Sequence, residues 1–143
     1  MSKLPNIHAT FISFKDKGIL FIGKSGAGKS DLALRMIMDY GAILVADDRV
    51  NVENIDGKLY GSAPKEIAGK MEIRNIGITD FSYKKKEVIN LCVELSENRD
   101  ELDRLPNNEF ADFLGVSVIK IKLYPFDCST ICKIIAKISS IIS

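Results

Sequence analysis

The sequence predicts an α/β domain: a mixed β-sheet with one helix behind a glycine-rich loop, a strand-rich middle and a C-terminal amphipathic helix. Three observations predict it. The apolar run Gly18-Ile19-Leu20-Phe21-Ile22 leads into Gly23-Lys24-Ser25-Gly26-Ala27-Gly28-Lys29-Ser30, and a helix-forming segment follows with Leu32, Ala33, Leu34, Met36, Ile37 and Met38. From residue 42 to residue 95, apolar runs and alternations have strand lengths, punctuated by turn residues. Ile131, Ile134, Ile135, Ile138, Ile141 and Ile142 then recur at helical spacing, with Lys133 and Lys137 among them. At 143 residues the chain makes one domain, 1–143, with one sizeable core.

Composition narrows the class. With 46% hydrophobic and 27% charged residues the chain reads as an ordinary soluble globular protein, and no apolar run reaches a membrane span. A net charge of +1 gives no electrostatic case for nucleic acid or an anionic membrane. The cysteines, Cys92, Cys128 and Cys132, are odd in number and no secretory signal precedes them, so a reducing cytoplasm is expected. Cys128 and Cys132 lie four apart, but the single histidine, His8, is remote and no carboxylate flanks them at ligand spacing; packing is the expected role.

Along the chain, Met1 to Asn6 reads as a loose start. Ile7 to Phe14 reads as a strand, and Lys15-Asp16-Lys17-Gly18 turns it back as a hairpin onto the run ending at Ile22. That register places His8 at the end where the Gly23 loop begins. The helix after the loop ends near Tyr40-Gly41. Ala42-Ile43-Leu44-Val45-Ala46 is a buried-type strand ending in Asp47-Asp48, and the passage from Ile22 to Ile43 is expected to form a β-α-β unit with both strands ending at one edge. Asn54-Ile55-Asp56-Gly57 marks a hairpin between Arg49–Glu53 and Lys58–Gly61. Pro64 opens a short helix through Ile67-Ala68. In Met71 to Ile78, alternation puts Met71, Ile73 and Asn75 on one side and Glu72, Arg74 and Ile76 on the other. Lys84-Lys85-Lys86-Glu87 reads as a solvated loop, Val88–Leu95 as a strand, and Ser96–Asn108 as polar loop with a short helix ended by Pro106. Phe110–Tyr124 supplies one or two strands, and Asp127 or Ser129 can cap the last helix.

The glycine loop fits G-x-x-x-x-G-K-[ST], the P-loop whose backbone N–H groups cradle a polyphosphate. Its glycines bring backbone close to phosphate oxygens, Lys29 reaches the β/γ-phosphates, and the Ser30 hydroxyl can ligate Mg²⁺. A helix starting near Lys29 aims its free N–H groups at the same anion. Gly23, Lys24, Ser25, Gly26, Ala27, Gly28, Lys29 and Ser30 are therefore the candidate nucleotide-binding residues. Asp47-Asp48 is a Walker-B-like strand end, against the plainer reading of a solvated turn. The strand-rich centre and the lack of Asn-Lys-x-Asp argue against a small GTPase or a lidded nucleotide kinase.

With these motifs in place, the chain resembles the catalytic domain of the HPr kinase/phosphorylase family, bacterial enzymes that phosphorylate a serine of the phosphocarrier protein HPr. Ile7-His8-Ala9, Gly23–Ser30, Val45-Ala46-Asp47-Asp48-Arg49 and Met71-Glu72-Ile73-Arg74-Asn75-Ile76-Gly77-Ile78 carry the resemblance, with Leu102-Asp103-Arg104-Leu105 a weaker fifth. It implies catalytic roles for His8, Lys29, Asp48 (as base) and Arg104, Mg²⁺ ligation by Ser30 and Glu72, ATP as phosphate donor, an HPr-type protein as acceptor and a cytoplasmic homo-oligomer, typically a hexamer. Taken by spacing alone, Glu72 and Arg74 would be surface charges.

Three departures qualify what the resemblance implies. The chain starts a few residues before His8, as in short family members without the N-terminal domain. Asn75 stands where glycine is usual. Lys122-Leu123-Tyr124-Pro125-Phe126 stands in place of a basic Arg-Pro-Gly-Arg-like segment linked to dephosphorylation, which leaves phosphorylase activity without that support. Two other readings stay open: a nucleotide- or phosphate-sensing module that binds without transfer, and a P-loop kinase of another acceptor.

Overall fold

The expected single strand from Ile7 to Phe14 divides in two. In the computed structural model, which describes residues 4–141, β1 (Asn6–Ile7) and β2 (Thr10–Phe14) are separated at His8-Ala9. The reason is a change of partner: β2 pairs antiparallel with β3 (Lys17–Ile22), whereas β1 leaves to pair with β5 (Val50–Ile55), and the Ala9 N–H donates to the Asp48 carbonyl at 3.3 Å. The loose start expected before Asn6 lies partly outside the described residues.

The hairpins follow turn chemistry. Lys15-Asp16 (φ 49° and 63°) joins β2 to β3, and Asp56-Gly57 (φ 53° and 84°) joins β5 to β6 (Lys58–Ser62). Two successive positive φ values are the signature of the turn whose twist matches paired strands. Leu114-Gly115 does the same between β10 (Glu109–Phe113) and β11 (Val116–Leu123), so Phe110–Tyr124 yields two strands.

The helix α1 (Lys29–Tyr40) ends on Gly41 at φ 76°, as the sequence predicts. The next strand, β4 (Ile43–Ala46), runs parallel to β3 without touching it. β2 lies between them, antiparallel to both. The β-α-β expectation thus holds in strand direction, and β3 and β4 end at one edge, but the first hairpin strand is inserted between them.

The long β9 (Glu87–Leu95) is the centre of the nine-stranded sheet, ordered β1-β5-β6-β9-β3-β2-β4 with β11 also on β9. Its first residues pair antiparallel with β6; the rest pair parallel with β3 on one side and β11 on the other. Asn90 is an extra residue in the β9–β3 ladder, and its side chain accepts from the Gly18 N–H at 2.8 Å. This bulge reverses the facing of Ile89 relative to Leu91, Val93 and Leu95, which the sequence had placed together. A separate two-stranded hairpin comprises β7 (Lys70–Ile73) and β8 (Gly77–Asp80).

Both faces of β2, β3 and β9 are buried, which explains their nearly continuous apolar sequences. On one face, Ile12, Ile19, Phe21 and Val93 pack under Leu32 and Met36 of α1 and under Ile131, Ile134 and Ile138 of α2 (Thr130–Ser140). On the other, Phe11, Leu20, Val45, Val52, Leu59 and Cys92 fill the curl of the sheet. Burial raises the Cys92 thiol pKa to about 12. Neither expected cap residue caps α2 by its side chain: Asp127 is held by Arg99, and Ser129 already has helical backbone angles. Lys17 instead secures the other end, donating to the carbonyls of Ile138 and Ile141. Ile142 of the predicted stripe lies outside the described residues.

Two more expectations are corrected. Cys128 and Cys132 are exposed, so neither packs a core. Glu87 is buried rather than solvated: its carboxylate accepts from Ser13 Oγ at 2.6 Å and Lys84 Nζ at 2.7 Å, because pairing of β9 with β6 draws it beneath the first hairpin. The bond to Glu87 raises the Lys84 pKa. Among the described residues no helix is long and apolar enough to cross a membrane.

Gly18 has the tightest surroundings in this scaffold, since a Cβ there would sit 1.9 Å from the Val88 carbonyl oxygen and 2.6 Å from Phe11. Backbone at the start of β9 cannot yield without losing the ladder. Gly18→Ala is expected to destabilise the fold by about 3 kcal/mol, read as a lowered urea midpoint, while Gly57→Ala, whose Cβ meets nothing within 4 Å, should cost less.

Candidate active site

The glycine loop after β3, the Asp47-Asp48 end of β4, the His8 segment, the β7–β8 hairpin and the loop after β11 line one cleft of about 740 Å³. The loop after β3 enters first. Gly26 and Gly28 have φ of 82° and 104°, values open to glycine and costly for other residues. Gly28 also packs against the loop after β11: a Cβ there would lie 3.3 Å from Pro125. The first helical bond of α1 runs from Leu32 N–H to the Gly28 carbonyl, and no side chain caps the helix. The N–H groups of its first turn therefore have no intrahelical acceptor and face an anion-sized space with the positive dipole end.

Lys29 is 7% exposed, and its ammonium donates to the carbonyls of Gly23 at 2.8 Å and Lys24 at 2.9 Å. The lysine thus braces the loop from inside. Burial lowers its pKa, with the charges of Asp47 and Asp48 opposing.

The two aspartates after β4 have separate environments. Asp47 is 6% exposed, and its Oδ1 accepts from Ser30 Oγ at 2.7 Å and Thr10 Oγ1 at 2.9 Å. One carboxylate oxygen therefore ties β4 to the start of α1 and the start of β2. Asp48 instead turns outward, with its side chain 71% exposed. Its φ is 72°, and the Arg49 N–H donates to the Asp47 carbonyl across it at 2.8 Å. A hydrogen bond spanning one positive-φ residue is a γ-turn, a rare and strained form. The strain aims the Asp48 carboxylate into the cleft, where His8 Nε2 lies 3.0 Å from Oδ1. The β1–β2 break that overturned the single-strand expectation frees His8 for this contact.

The opposite wall is the β7–β8 hairpin. Met71 is buried against the helical core, while Glu72 and Arg74 line the cleft. Strand alternation stops at Ile73, because residues 74–76 form the turn and Asn75 takes φ 74°. Asparagine is among the few residues that tolerate this region, so it occupies the turn without a glycine.

Of the residues the sequence proposed, Ser25, Gly26, Gly28, Lys29, Ser30, Asp48, His8 and Glu72 line the cleft together. Arg104 does not. It lies exposed in the loop after β9, among residues that flank a separate, smaller pocket. Sequence reasoning missed Thr10, which reads as one more β-former; it read Asp47-Asp48 as a Walker-B-like strand end but gave Asp47 no role of its own. It also missed Phe126, on the cleft rim beside Gly28.

Comparisons with known proteins identify the family and the fold. The family model of the HPr serine kinase C-terminal domain matches residues 1–140. The chain is similar to the HPr kinase/phosphorylase of Clostridium kluyveri, at 38% identity over 127 residues covering 82% of this chain and 41% of that protein. It is likewise similar to that of Clostridium perfringens, at 35% over 133 residues, 86% of this chain and 43% of that one. The chain thus spans about two fifths of the length of these relatives. Among solved structures, the Hpr(Ser) kinase/phosphatase from Coxiella burnetii superposes with a TM-score of 0.82 at 25% identity, covering 94% of this chain and 95% of that one. A match along nearly the whole sequence, joined to the same mixed sheet, places the chain in the family of HPr serine kinase C-terminal domains.

Proposed function

We propose that this domain catalyses ATP-dependent phosphorylation of a serine on an HPr-type phosphocarrier protein. The observation that carries the reading is the division of the two aspartates: Asp47 fastened to Ser30 behind the glycine loop, Asp48 held out in a strained turn beside His8 in the same cleft. A module that only binds phosphate has no need of the second.

Phosphoryl transfer asks a protein mainly for positioning and charge stabilisation. The Gly23–Ser30 loop and the first turn of α1 would hold the triphosphate. Lys29 would exchange its two loop carbonyls for β- and γ-phosphate oxygens, better acceptors for a partly desolvated ammonium. Asp48 would accept the proton of the serine hydroxyl as the serine oxygen bonds to the γ-phosphorus and the bond to the leaving ADP oxygen breaks. His8 would fix the orientation of that carboxylate. An exposed aspartate is a weak base, so its contribution rests on alignment and on late proton transfer.

The residues present suit Mg²⁺. Ser30 Oγ and the Asp47 carboxylate are in contact, and Glu72 offers a second carboxylate from the facing wall. Among the described residues no three His, Cys, Asp or Glu side chains gather into a metal cluster. Mg²⁺ is commonly held by one or two carboxylates plus phosphate oxygens, where it neutralises charge on the phosphates.

Arg104 would add charge stabilisation only if its loop folded over the cleft. Its position favours one alternative, a sensor that binds nucleotide without transfer. The proposed direction is kinase, because Lys122-Leu123-Tyr124-Pro125-Phe126 lacks the two arginines of the Arg-Pro-Gly-Arg-like segment that the resemblance links to dephosphorylation. Homo-oligomeric assembly in the cytoplasm follows from the same resemblance.

Incubation with γ-labelled ATP and an HPr-type protein should yield labelled phosphoserine; nucleotide binding without label would support the sensor, and ATP turnover without labelled HPr another acceptor. Asp48→Asn should retain ATP binding and lose about a thousand-fold in transfer rate, and a fully active variant would remove Asp48 as the base. His8→Gln should lower kcat roughly ten-fold with little change in the KM for ATP; unaltered turnover would reduce His8 to a packing role. Glu72→Gln should raise the Mg²⁺ concentration for half-maximal transfer at least about ten-fold, measured by titrating the metal at saturating ATP.

A further inference from the structure

The β11–α2 connection, Tyr124 to Ser129, meets the glycine loop at the edge where β3 and β11, both parallel to β9, end. It is braced from several directions. Arg35 of α1 donates to the Pro125 carbonyl at 3.1 Å and pairs with Asp31 at 3.2 Å. Arg99 stacks 4.9 Å over the Tyr124 ring and pairs with Asp127, while Thr130 Oγ1 donates to the Tyr124 carbonyl at 2.6 Å. Pro125 is buried against Gly28. Phe126, inside this fixed segment, is nevertheless 60% exposed and lines the cleft, set edge-to-face with the Tyr124 ring at 5.5 Å between centroids.

A hydrophobic ring held rigid and left in water at the mouth of a charged cleft is a surface prepared for a flat apolar group. Leu34, one turn past Ser30 on α1, and Ile78 of the facing hairpin line the same cleft and add apolar surface. The glycine loop can recognise phosphates but has no group that recognises a base. We infer that Phe126 is the stacking platform for the purine base of the nucleotide, with Leu34 and Ile78 supplying apolar surface in the same cleft. The inference rests on the kinase reading for the placement of the phosphates. It assigns the nucleoside end of the donor, which that reading leaves open. Stacking acts through the π-face, so the site takes purines by shape and contributes affinity without reading their edges.

The sequence contains no tryptophan, so Phe126→Trp introduces a single indole fluorophore at the platform. Titration with Mg-ATP should quench its emission in a saturable way, whereas Mg-tripolyphosphate, which carries the phosphates without a base, should displace ATP in equilibrium dialysis and leave the emission nearly unchanged. Phe126→Ala should weaken ATP about ten-fold and tripolyphosphate less than two-fold. The inference is overturned if dialysis shows ATP bound to the Phe126→Trp variant while its indole emission is unmoved, or if Phe126→Ala weakens both ligands equally, which would make the ring a support for the loop. If the unsubstituted chain binds neither ligand, the kinase reading falls and the platform with it.

Discussion

One carboxylate oxygen, Asp47 Oδ1, sets the geometry on which the site depends. It receives a hydroxyl from the first turn of α1 and another from the start of β2, and it stands at the end of β4. A carboxylate this buried loses much of its hydration, and the two hydroxyl bonds are what make the position tenable. The same bonds fix the helix that the glycine loop feeds. Ser30 cannot shift along the helix axis without leaving Asp47 short of a donor, and Lys29, next to it, is thereby held where its ammonium reaches the loop carbonyls. Loop, helix and strand end behave as one piece.

Asp48 has the opposite environment one residue later. Its side chain is exposed, its backbone strained, and its partner is the imidazole of His8 rather than a buried hydroxyl. Two adjacent carboxylates with contrasting surroundings are fitted to contrasting work. The strain depends on the neighbours that maintain it: Ala9 N–H on the Asp48 carbonyl and Arg49 N–H on the Asp47 carbonyl hold both sides of the turn. Anchoring of Asp47 from within is what allows Asp48 to be displayed.

Much of this was legible in the sequence, and what was not follows a pattern. Gly23–Ser30, the Asp56-Gly57 hairpin and the Gly41 helix end are local signals, decided by φ preferences and short-range bonding, and they fold as expected. The misread features that shape the site depend on partners distant in sequence. Glu87 looks solvated beside three lysines until pairing of β9 with β6 buries it against Ser13. Thr10 looks like any β-former until Asp47 arrives thirty-seven residues later. Strand order is a choice among partners, and nothing near Ile22 announces that β2 will lie between β3 and β4. Glu72 and Arg74 have no local signal at all, since a charged pair on an alternating strand is the ordinary solvent face.

The hairpin that bears them shows how β4 governs both walls of the cleft. β7–β8 forms no ladder with the large sheet, yet it is not free-standing. The Phe81 N–H returns to the Gly69 carbonyl at 2.8 Å, Tyr83 packs so closely on Gly69 that a Cβ there would lie 2.7 Å from its ring, and Tyr83 and Lys84 join β4 at Leu44. Met71 plugs the hairpin into the core beneath α1. The strand whose end presents Asp47 and Asp48 is therefore also the strand to which the base of the facing wall is fastened. Because a single short strand fixes both sides, the span between Ser30 and the hairpin is set by backbone bonding at Leu44 as well as by side chains in the cleft. A two-stranded hairpin tied at its base and at Met71 leaves its tip, with Ile76 and Ile78 exposed, as the part of the wall best able to shift without disturbing the glycine loop.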